Sequence, residues 1–425
     1  MANDSLYSVK FSEIWSYFKS QDILFWLINL YLFMEYVRPQ ALYPSLDIIP
    51  FTRIILIATL IILLFKKYPV PKNISNNFII LFSIVVVFSS MFAISPEVSF
   101  NKTYDYFAWV LIYFLIITII NTSDRLFIFI LLFLIYSFKM SQFSFRNWVG
   151  SGFGFSDWGT GGGPGWFHNS GEFGIQMCVF LPIAYYFFYS LNNYWPRWKK
   201  YIFFLFPLTA LTGTISCSSR GALVGAGAVL LWMLLKSQRK LTGFFVVTLV
   251  AILVWTFVPP EQKTRFKTAG EDKTSVQRTE RWKKGMEMAR RMPVLGVGYA
   301  NWGVADRTFY SGEGALPHNI FIQCVSELGY AGLAMFLLLI LSTLINNYQT
   351  RKLIAERDGD SRFFYYMAHG LDGALVGFLV SGYFVTVLYY PYFWINLAMT
   401  VALNNIVRCE HSRTSGQSAI SPAQV

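Results

Sequence analysis

The chain has 425 residues, of which 55% are hydrophobic and only 14% charged, and its mean hydropathy is +0.44. This composition excludes a water-soluble globular protein of this length and is typical of a polytopic membrane protein. The formal net charge of +12 would suggest nucleic acid as a partner of a soluble protein, but basic loops orient a membrane protein. We therefore expect an all-α membrane protein, with one domain over residues 1–425, membrane lipids around it and no nucleic-acid partner.

Apolar runs between charged residues or Gly/Pro breaks predict about twelve transmembrane helices. They cover residues 22–37, 51–65, 77–95, 104–120, 125–140, 172–191, 201–216, 221–235, 241–258, 319–345, 363–384 and 388–406. The first ten residues, "MANDSLYSVK", carry no basic leader, so we expect no cleaved signal peptide. The four cysteines have no paired spacing, which predicts neither a disulfide framework nor a metal site.

Lysines and arginines concentrate in the even-numbered connections, residues 66–72, 192–200, 236–240 and 349–362. Because short cytoplasmic loops collect these residues, this pattern predicts a multi-pass protein of a bacterial inner membrane with both termini in the cytoplasm. Two long odd-numbered connections are then periplasmic: a Gly/Trp-rich loop at 141–171 and a large, partly helical loop at 259–318, between the ninth and tenth helices. Residues 407–425 are polar and predict a disordered cytoplasmic tail.

The first candidate site residue on the periplasmic side is Arg220, in the tight connection "SCSSRGALVG". Small neighbours allow its side chain to point inward as a fixed cation at the mouth of a cavity. The alternative is an interface arginine whose side chain reaches towards water.

The second candidate lies in the long loop, in "TSVQRTERWKKGMEMARRMP". Thr274 with Gln277 resembles a capping box that begins a helix, and Pro293 ends it. Arg278 and Arg281 are three residues apart and share a helix face. They could hold a phosphate or diphosphate, which suits the planar guanidinium. An amphipathic helix lying on anionic lipid is the alternative.

The third candidate is "ALPHNIF", where His318 stands at the start of the tenth helix. The unpaired N–H groups of a helix start disfavour an added positive charge, and nearby arginines act in the same direction. We therefore expect a neutral imidazole near pH 7, as a general base requires. We also expect the neighbouring Asn319 to contact the substrate. A histidine that only anchors the interface is the alternative.

Two weaker candidates lie in the first half of the chain. The backbone N–H groups of the stretch "DWGTGGGPGWFHNSGEFG" could form an anion nest, although glycine runs are more often plain loop. In the same stretch, Trp158 and Trp166 could stack on sugars, and His168 could pair with Glu172. Arg38, in "MEYVRPQALYP", could pair with the nearby Glu35 or contact substrate.

These residues favour phosphate chemistry without a metal ion. A lipid diphosphate would place its tail in the bilayer and its head among Arg220, Arg278 and Arg281, which would also stabilise the charge that develops as it leaves. If a sugar is attached, His318 would deprotonate the attacking acceptor hydroxyl. Backside attack then predicts inversion at the anomeric carbon.

The order "SSRGA", "QRTERW", "PVLGVGYANW" and "PHNIFIQCVSELGYAG" resembles the signature region of the bacterial O-antigen ligase and polymerase superfamily, over roughly residues 205–345. The resemblance implies a metal-independent glycosyltransferase without a cofactor, acting at the periplasmic face on undecaprenyl-diphosphate-linked glycan. It matches Arg220, either Arg278 or Arg281, and His318 to the family's two arginines and catalytic histidine. The stretch "EYVRPQALYP" is similar to ligase-like proteins of exopolysaccharide and exosortase-linked glycan clusters.

Three functions remain open from the sequence. A ligase hands a finished glycan to a glycan, lipid or protein acceptor, whereas a polysaccharide polymerase hands it to another repeat unit. A transporter or flippase of lipid-linked glycans would also need a cationic cavity, but the basic residues gather on one face and no inverted repeat is found. A flippase should tolerate the loss of His318.

Overall fold

The computed structural model describes residues 4–154, 159–257, 260–267, 270–356 and 362–414. Within these ranges the chain is helical and contains no strand. The helices are α1 (Asp4–Tyr7), α2 (Phe11–Ser20), α3 (Ile23–Tyr36), α4 (Pro44–Asp47), α5 (Phe51–Lys66), α6 (Ile74–Met91), α7 (Pro96–Ile119), α8 (Ser123–Gly150), α9 (Ser170–Leu191), α10 (Arg197–Ser216), α11 (Arg220–Lys236), α12 (Lys240–Phe257), α13 (Pro260–Lys267), α14 (Lys273–Arg291), α15 (Trp302–Tyr310), α16 (Ile320–Ala355), α17 (Arg362–Gly382) and α18 (Pro391–Thr414). Short 3-10 helices lie at Pro39–Leu42 and Asn192–Tyr194.

The predicted all-helical membrane class is confirmed, but the count of twelve spans is not. Among the described residues, seven helical segments are long and apolar enough to cross a membrane: Ser45–Lys66, Ile74–Met91, Pro96–Ile119, Ser123–Gly150, Ser170–Tyr194, Ile320–Ala355 and Arg362–Gly382. Helices α3, α10, α11, α12 and α18 occupy the other predicted ranges. Some of these are short, since α3 has 14 residues and α11 has 17, against about 20 for a typical span.

Two loop boundaries differ from the sequence-based expectation. Helix α8 continues to Gly150 and α18 to Thr414, so residues 141–150 and 407–414 are helical where a loop and a disordered tail were predicted. Polar residues at the end of a membrane helix do not stop it when the backbone hydrogen bonds continue. The rest of the predicted tail and Trp158 lie outside the described residues. The long connection 259–318 contains α13, α14 and α15.

Helix α9 forms the centre of the bundle and packs on α17, α10 and α11, while α16 packs on α6 and α18. The apolar stretch of Ser170–Tyr194, which contains α9, is 83% buried inside the protein, whereas that of Ser45–Lys66, which contains α5, is only 17% buried. An apolar helix buried all round is central, whereas one that leaves its apolar surface open faces lipid. The first turn of α9, and that of α11 beside it, are therefore held in place by the core of the bundle.

Helix α16 is broken inside its membrane-spanning part at Gly329, where φ is 66° and ψ is −170°. The break exposes backbone groups that the loop before α15 satisfies: Val297 N–H donates to Ser326 O at 2.8 Å, and Tyr330 N–H donates to Pro293 O at 2.7 Å. Unsatisfied backbone groups are costly in a membrane, so a break needs such partners. The long loop is thereby fixed to the helix that follows His318.

Contacts between distant connections define two ends of the bundle. At one end, Trp195 Nε1 donates to Tyr7 O at 2.7 Å, Arg125 lies 3.4 Å from Asp22, and Ser123 hydrogen-bonds Glu410. These contacts bring α1 and the last turns of α18 to the same end, as the loop pattern predicts. His318, α14 and α15 lie at the opposite end, which we call the His318 end.

Candidate active site

His318 occupies a constrained loop position directly before α16. Its φ is 52°, a left-handed value that is uncommon for a residue other than glycine. Its backbone N–H donates to Thr386 Oγ1 at 2.8 Å. The next residue, Asn319, is the helix cap, and its Oδ1 accepts from the backbone N–H groups of Phe321 and Ile322 at 2.8 and 3.1 Å. Asn319 therefore fixes the direction of α16, and its side-chain oxygen is used for that purpose.

The imidazole of His318 is partly buried, and within the described residues no hydrogen bond occupies its nitrogens. Burial, followed by the charges of Arg278 and Arg281, lowers the pKa of His318 to about 4. The ring is therefore neutral near pH 7, as expected from the sequence, although burial is a larger cause than the sequence suggested. A neutral imidazole can accept a proton from a bound hydroxyl.

Arg278 lies on α14 with its Nε buried and without a hydrogen-bond partner in the described part of the chain. Burial lowers the pKa of its guanidinium, and so do the charges of Arg220 and Arg281, while Asp272 opposes them. A buried cationic donor without a partner costs stability. Such a group is explained by a ligand that supplies the missing acceptor, and an anion does so best.

Arg220 connects the start of α11 to the start of α14. Its Nη1 lies 2.9 Å from Asp272 Oδ2, and its Nη2 donates to Asp272 Oδ1 at 3.3 Å. The same carboxylate caps α14 by accepting from Ser275 N–H at 3.1 Å. Hydrogen bonds from Arg220 and then Ser275 hold the pKa of the Asp272 carboxyl well below its usual range. The predicted capping box at Thr274 and Gln277 is wrong by two residues, and Asp272 was missed.

The apolar side of α14 packs on protein. Met288 and Ala289 are fully buried, and a Cβ added to Gly285 would lie 2.4 Å from Ile322 of α16. Trp282 Nε1 donates to Pro317 O at 2.9 Å. This packing argues against a helix that lies with its apolar side on lipid, and it fixes α14 beside the loop of His318.

Arg281 is directed to the same loop. Its Nη1 lies 3.5 Å from Leu316 O, which is a long and weak contact. Its charge acts on both His318 and Arg278. The structure thus groups four of the predicted residues, Arg220, Arg278, Arg281 and His318, around the start of α14.

The connection between α17 and α18, residues 383–390, brings three helix starts together. A Cβ added to Gly171 of α9 would lie 3.6 Å from Val385, and one added to Gly221 of α11 would lie 2.7 Å from Phe384. Thr386 holds the loop of His318 at the start of α16. Helix starts carry unpaired N–H groups and a partial positive charge, so their convergence adds to the attraction for an anion.

Arg38 and His168 belong to a different neighbourhood. The guanidinium of Arg38 packs against Gly165 of the glycine-rich loop. Trp166, in the same loop, makes edge contacts with Trp109 at 5.6 Å and Tyr390 at 4.7 Å between ring centres. Trp166 and Tyr390 are partly buried, and their rings could contact a sugar. No contact in the described residues joins Arg38 to the group around His318.

His168 is exposed and forms no ion pair with Glu172 in the described ranges. The Glu172 carboxylate instead accepts from Asn169, at 3.0 Å from its side chain and 3.4 Å from its backbone N–H. These bonds form a capping box at the start of α9. Glu172 therefore orders the helix start, and His168 acts on it through its charge and not through a hydrogen bond in the described ranges.

No group of three or more His, Cys, Asp or Glu side chains that could hold a metal ion occurs in the described parts of the chain. The chemistry of this region comes from arginine, histidine and backbone N–H groups. It offers one basic atom and several anion-binding donors.

Comparison with known proteins finds a family match in the part of the chain that forms this site. Residues 179–337 match the family model described as O-Antigen ligase. The resemblance to the O-antigen ligase superfamily is confirmed. The match runs from α9 into α16 and includes Arg220, Arg278, Arg281 and His318, whereas Arg38 and His168 lie before it.

A segment of 103 residues is 35% identical to the exopolysaccharide production protein ExoQ of Rhizobium meliloti (strain 1021). It covers 22% of this chain and 23% of that relative, so the similarity is confined to about a quarter of either protein. With its several apolar helices, the chain is a multi-pass membrane protein in which residues 179–337 are similar to the O-Antigen ligase family.

Proposed function

We propose that the protein is an inverting, metal-independent glycosyltransferase that moves a glycan from undecaprenyl diphosphate to an acceptor hydroxyl. The His318 end would face the periplasm from the inner membrane, with both termini in the cytoplasm. The observation that carries the proposal is the buried Nε of Arg278, which has no hydrogen-bond partner among the described residues, together with the neutral imidazole of His318 on which its charge acts. The guanidinium of Arg278 can bind an anion, and the imidazole of His318 can accept a proton.

The donor would bind with its diphosphate at Arg278, Arg281 and the converging starts of α9, α11 and α16. Arg278 supplies a donor that no residue in the described part of the chain uses. Arg220 is shared with Asp272, so it contributes charge and also fixes the position of α14. A charge-assisted hydrogen bond of this kind contributes about 1.5–3 kcal/mol.

The transfer step needs no covalent enzyme intermediate. The acceptor oxygen attacks the anomeric carbon while the imidazole of His318 takes its proton. The bond from that carbon to the diphosphate oxygen breaks, and the lipid diphosphate leaves with its negative charge near the arginines. The imidazolium then returns its proton to water. Proton removal by a positioned base contributes about a hundredfold to ten-thousandfold in rate.

A ligase and a polymerase would share this chemistry, and the name of the exopolysaccharide-production relative is compatible with both. The proposed primary activity is that of a ligase, which adds one finished glycan to a non-repeat acceptor. A polymerase would instead give products that lengthen by repeat units.

The test uses purified full-length protein with lipid-diphosphate-linked glycan and candidate acceptors, and it measures transfer and donor binding separately. His318→Ala should lose transfer by at least a hundredfold while donor binding stays within about threefold of the wild type. The matched control is His411→Ala, because His411 lies near the end of α18 at the opposite end of the bundle. Normal transfer by His318→Ala would contradict the assignment of His318 as the base, whereas absence of transfer by the wild type with donor binding retained would favour a transporter.

A further inference from the structure

A polar cavity lies at the end of the bundle opposite His318. Its volume is about 380 Å³, and it is enclosed by the last turns of α9 and α11 and the first turns of α12 and α17. Two cations, Lys236 and Arg239, line it together with several tyrosines and His369. Among the described residues that line it there is no aspartate or glutamate. The cavity therefore has a positive potential and does not belong to the candidate active site.

Neither Lys236 nor Arg239 forms an ion pair with any residue that the structure describes. The Nζ of Lys236 lies 4.7 Å from the ring centre of Trp232. A third cation, Arg362, lies 5.1 Å from the ring of Tyr189 in the cavity wall. Charges of one sign in a partly enclosed cavity strengthen each other's field, and an anion relieves their repulsion.

His369 supplies an independent sign of a ligand. The residue is 8% exposed, and its Nδ1 is buried without a hydrogen-bond partner among the described residues. Its ring is held between Tyr186, with centroids 5.8 Å apart, and Tyr365, at 5.1 Å. Native structures seldom leave a buried polar atom unsatisfied without reason. In a cavity lined by cations, an oxygen of a bound anion would satisfy it.

Among the described residues, the charge of Lys236 acts on one buried carboxylate, that of Asp372. Asp372, one turn along α17, accepts from Arg351 at 2.7 Å and from Asn347 at 2.8 Å. Its charge is therefore already shared with groups on α16. The positive charges of Lys236 and Arg239 therefore exceed the negative charge that reaches the cavity from the described residues.

The surface beside the cavity identifies the kind of anion. Leu241 and Phe245 of α12 are 79% and 70% exposed, and Leu235 of α11 is 61% exposed. In a membrane protein such side chains contact acyl chains. A ligand that places a phosphate in the cavity and hydrocarbon against these apolar residues contacts both surfaces, whereas a free phosphate contacts only the cavity.

We infer that this cavity binds the headgroup of an anionic phospholipid. The phosphate lies between Lys236, Arg239 and His369, and the acyl chains lie along α11 and α12. The connection 236–240 is one of the basic connections predicted to face the cytoplasm, where anionic lipids attract basic segments. The bound lipid would join α11 and α12 to α9 and α17.

The experiment measures lipid binding by native mass spectrometry on the purified full-length protein, without glycan donor. The probe is phosphatidylglycerol, compared with phosphatidylcholine of the same chain length. The wild type should retain one phosphatidylglycerol molecule at concentrations where phosphatidylcholine is lost. Lys236→Gln with Arg239→Gln should weaken phosphatidylglycerol binding by about tenfold or more.

Two further variants sharpen the test. Arg197→Gln with Lys200→Gln removes the same charge from another basic connection at the same end of the bundle, and it should bind phosphatidylglycerol like the wild type. His369→Phe keeps an aromatic ring and removes the polar nitrogens, and it should weaken phosphatidylglycerol binding while leaving the phosphatidylcholine signal unchanged.

Equal retention of the two lipids by the wild type would overturn the inference, and so would equal losses in the two double-charge variants. Competition by inorganic phosphate or glycerol 3-phosphate at the same concentration as the lipid would assign the cavity to a free phosphate compound and would overturn the lipid assignment. Because no donor is present, these outcomes do not depend on glycan transfer.

Discussion

The pH dependence of transfer tests the electrostatics of the site in detail. The pKa of His318 is lowered to about 4 by burial first and then by Arg278 and Arg281. The neutral ring is the active form of a general base. The rate constant kcat/KM should therefore stay level as pH falls from 8 to about 5, and it should drop through a midpoint near 4.

The informative perturbation is Arg278→Gln, which removes one of the two cations. A cation disfavours protonation of a neighbouring imidazole, so its removal raises the pKa of His318 and moves the acid limb to higher pH. Burial remains, and it is the largest cause, so the midpoint should lie between 4 and 6.5. A change of about one pH unit in this midpoint corresponds to about 1.4 kcal/mol of interaction between the two charges.

The assay measures initial transfer rates at limiting donor from pH 3 to pH 8, with circular dichroism at each pH to verify that the protein stays folded. Loss of donor binding lowers the whole profile, whereas the change in His318 moves its midpoint, so the two effects separate. Arg290→Gln is the matched control, because Arg290 is exposed on the same helix. A wild-type midpoint near 6.5, or an unmoved midpoint in Arg278→Gln, would refute the reasoning.

Three other substitutions address stability and binding. Arg278→Met removes a buried hydrogen-bond donor that has no partner within the described ranges, so it should raise the free energy of unfolding by about 1 kcal/mol while weakening binding of the glycan donor by about tenfold or more. Unfolding in denaturant and a titration with glycan donor measure the two effects, and lower stability with unchanged binding would count against them. Asp272→Ala removes the cap of α14 and the partner of Arg220 and should cost about 1–2 kcal/mol in thermal unfolding, whereas a neutral effect would mean that the cap is unimportant. Gly329→Ala would place a Cβ 2.3 Å from Val294 O at a positive φ and should lower the free energy of unfolding by on the order of 2–4 kcal/mol. Gly227→Ala is the control, because no atom lies within 4 Å of the added Cβ, and it should not destabilise the protein. Equal losses of stability in the two variants would contradict the packing account.

Helices could be predicted well from the sequence because their signal is local. An apolar run between charged residues identifies a membrane helix without knowledge of its neighbours. The end of α18 at Thr414 was missed because its last turns are polar, and apolar character was the signal used. The break at Gly329 was also missed, since a single glycine inside an apolar run is compatible with a continuous helix.

The arginines and the histidine of the candidate site were found because cations at the ends of apolar runs stand out. Their partners were harder to find. Asp272 precedes Ser275 by three residues, which is a recognisable capping pattern, and it could have been chosen over Thr274. Thr386 is 68 residues from His318, and no local pattern connects the two. The same holds for the cavity at His369, which four separate helices enclose.

The most direct measurement is glycan transfer by the wild type and by His318→Ala, with donor binding followed in the same preparation. We predict that the variant binds the lipid-diphosphate donor and fails to transfer its glycan, while the wild type adds one finished glycan to the acceptor. Transfer at the wild-type rate by His318→Ala would contradict the account, because the histidine at the start of α16 would then have no part in the chemistry.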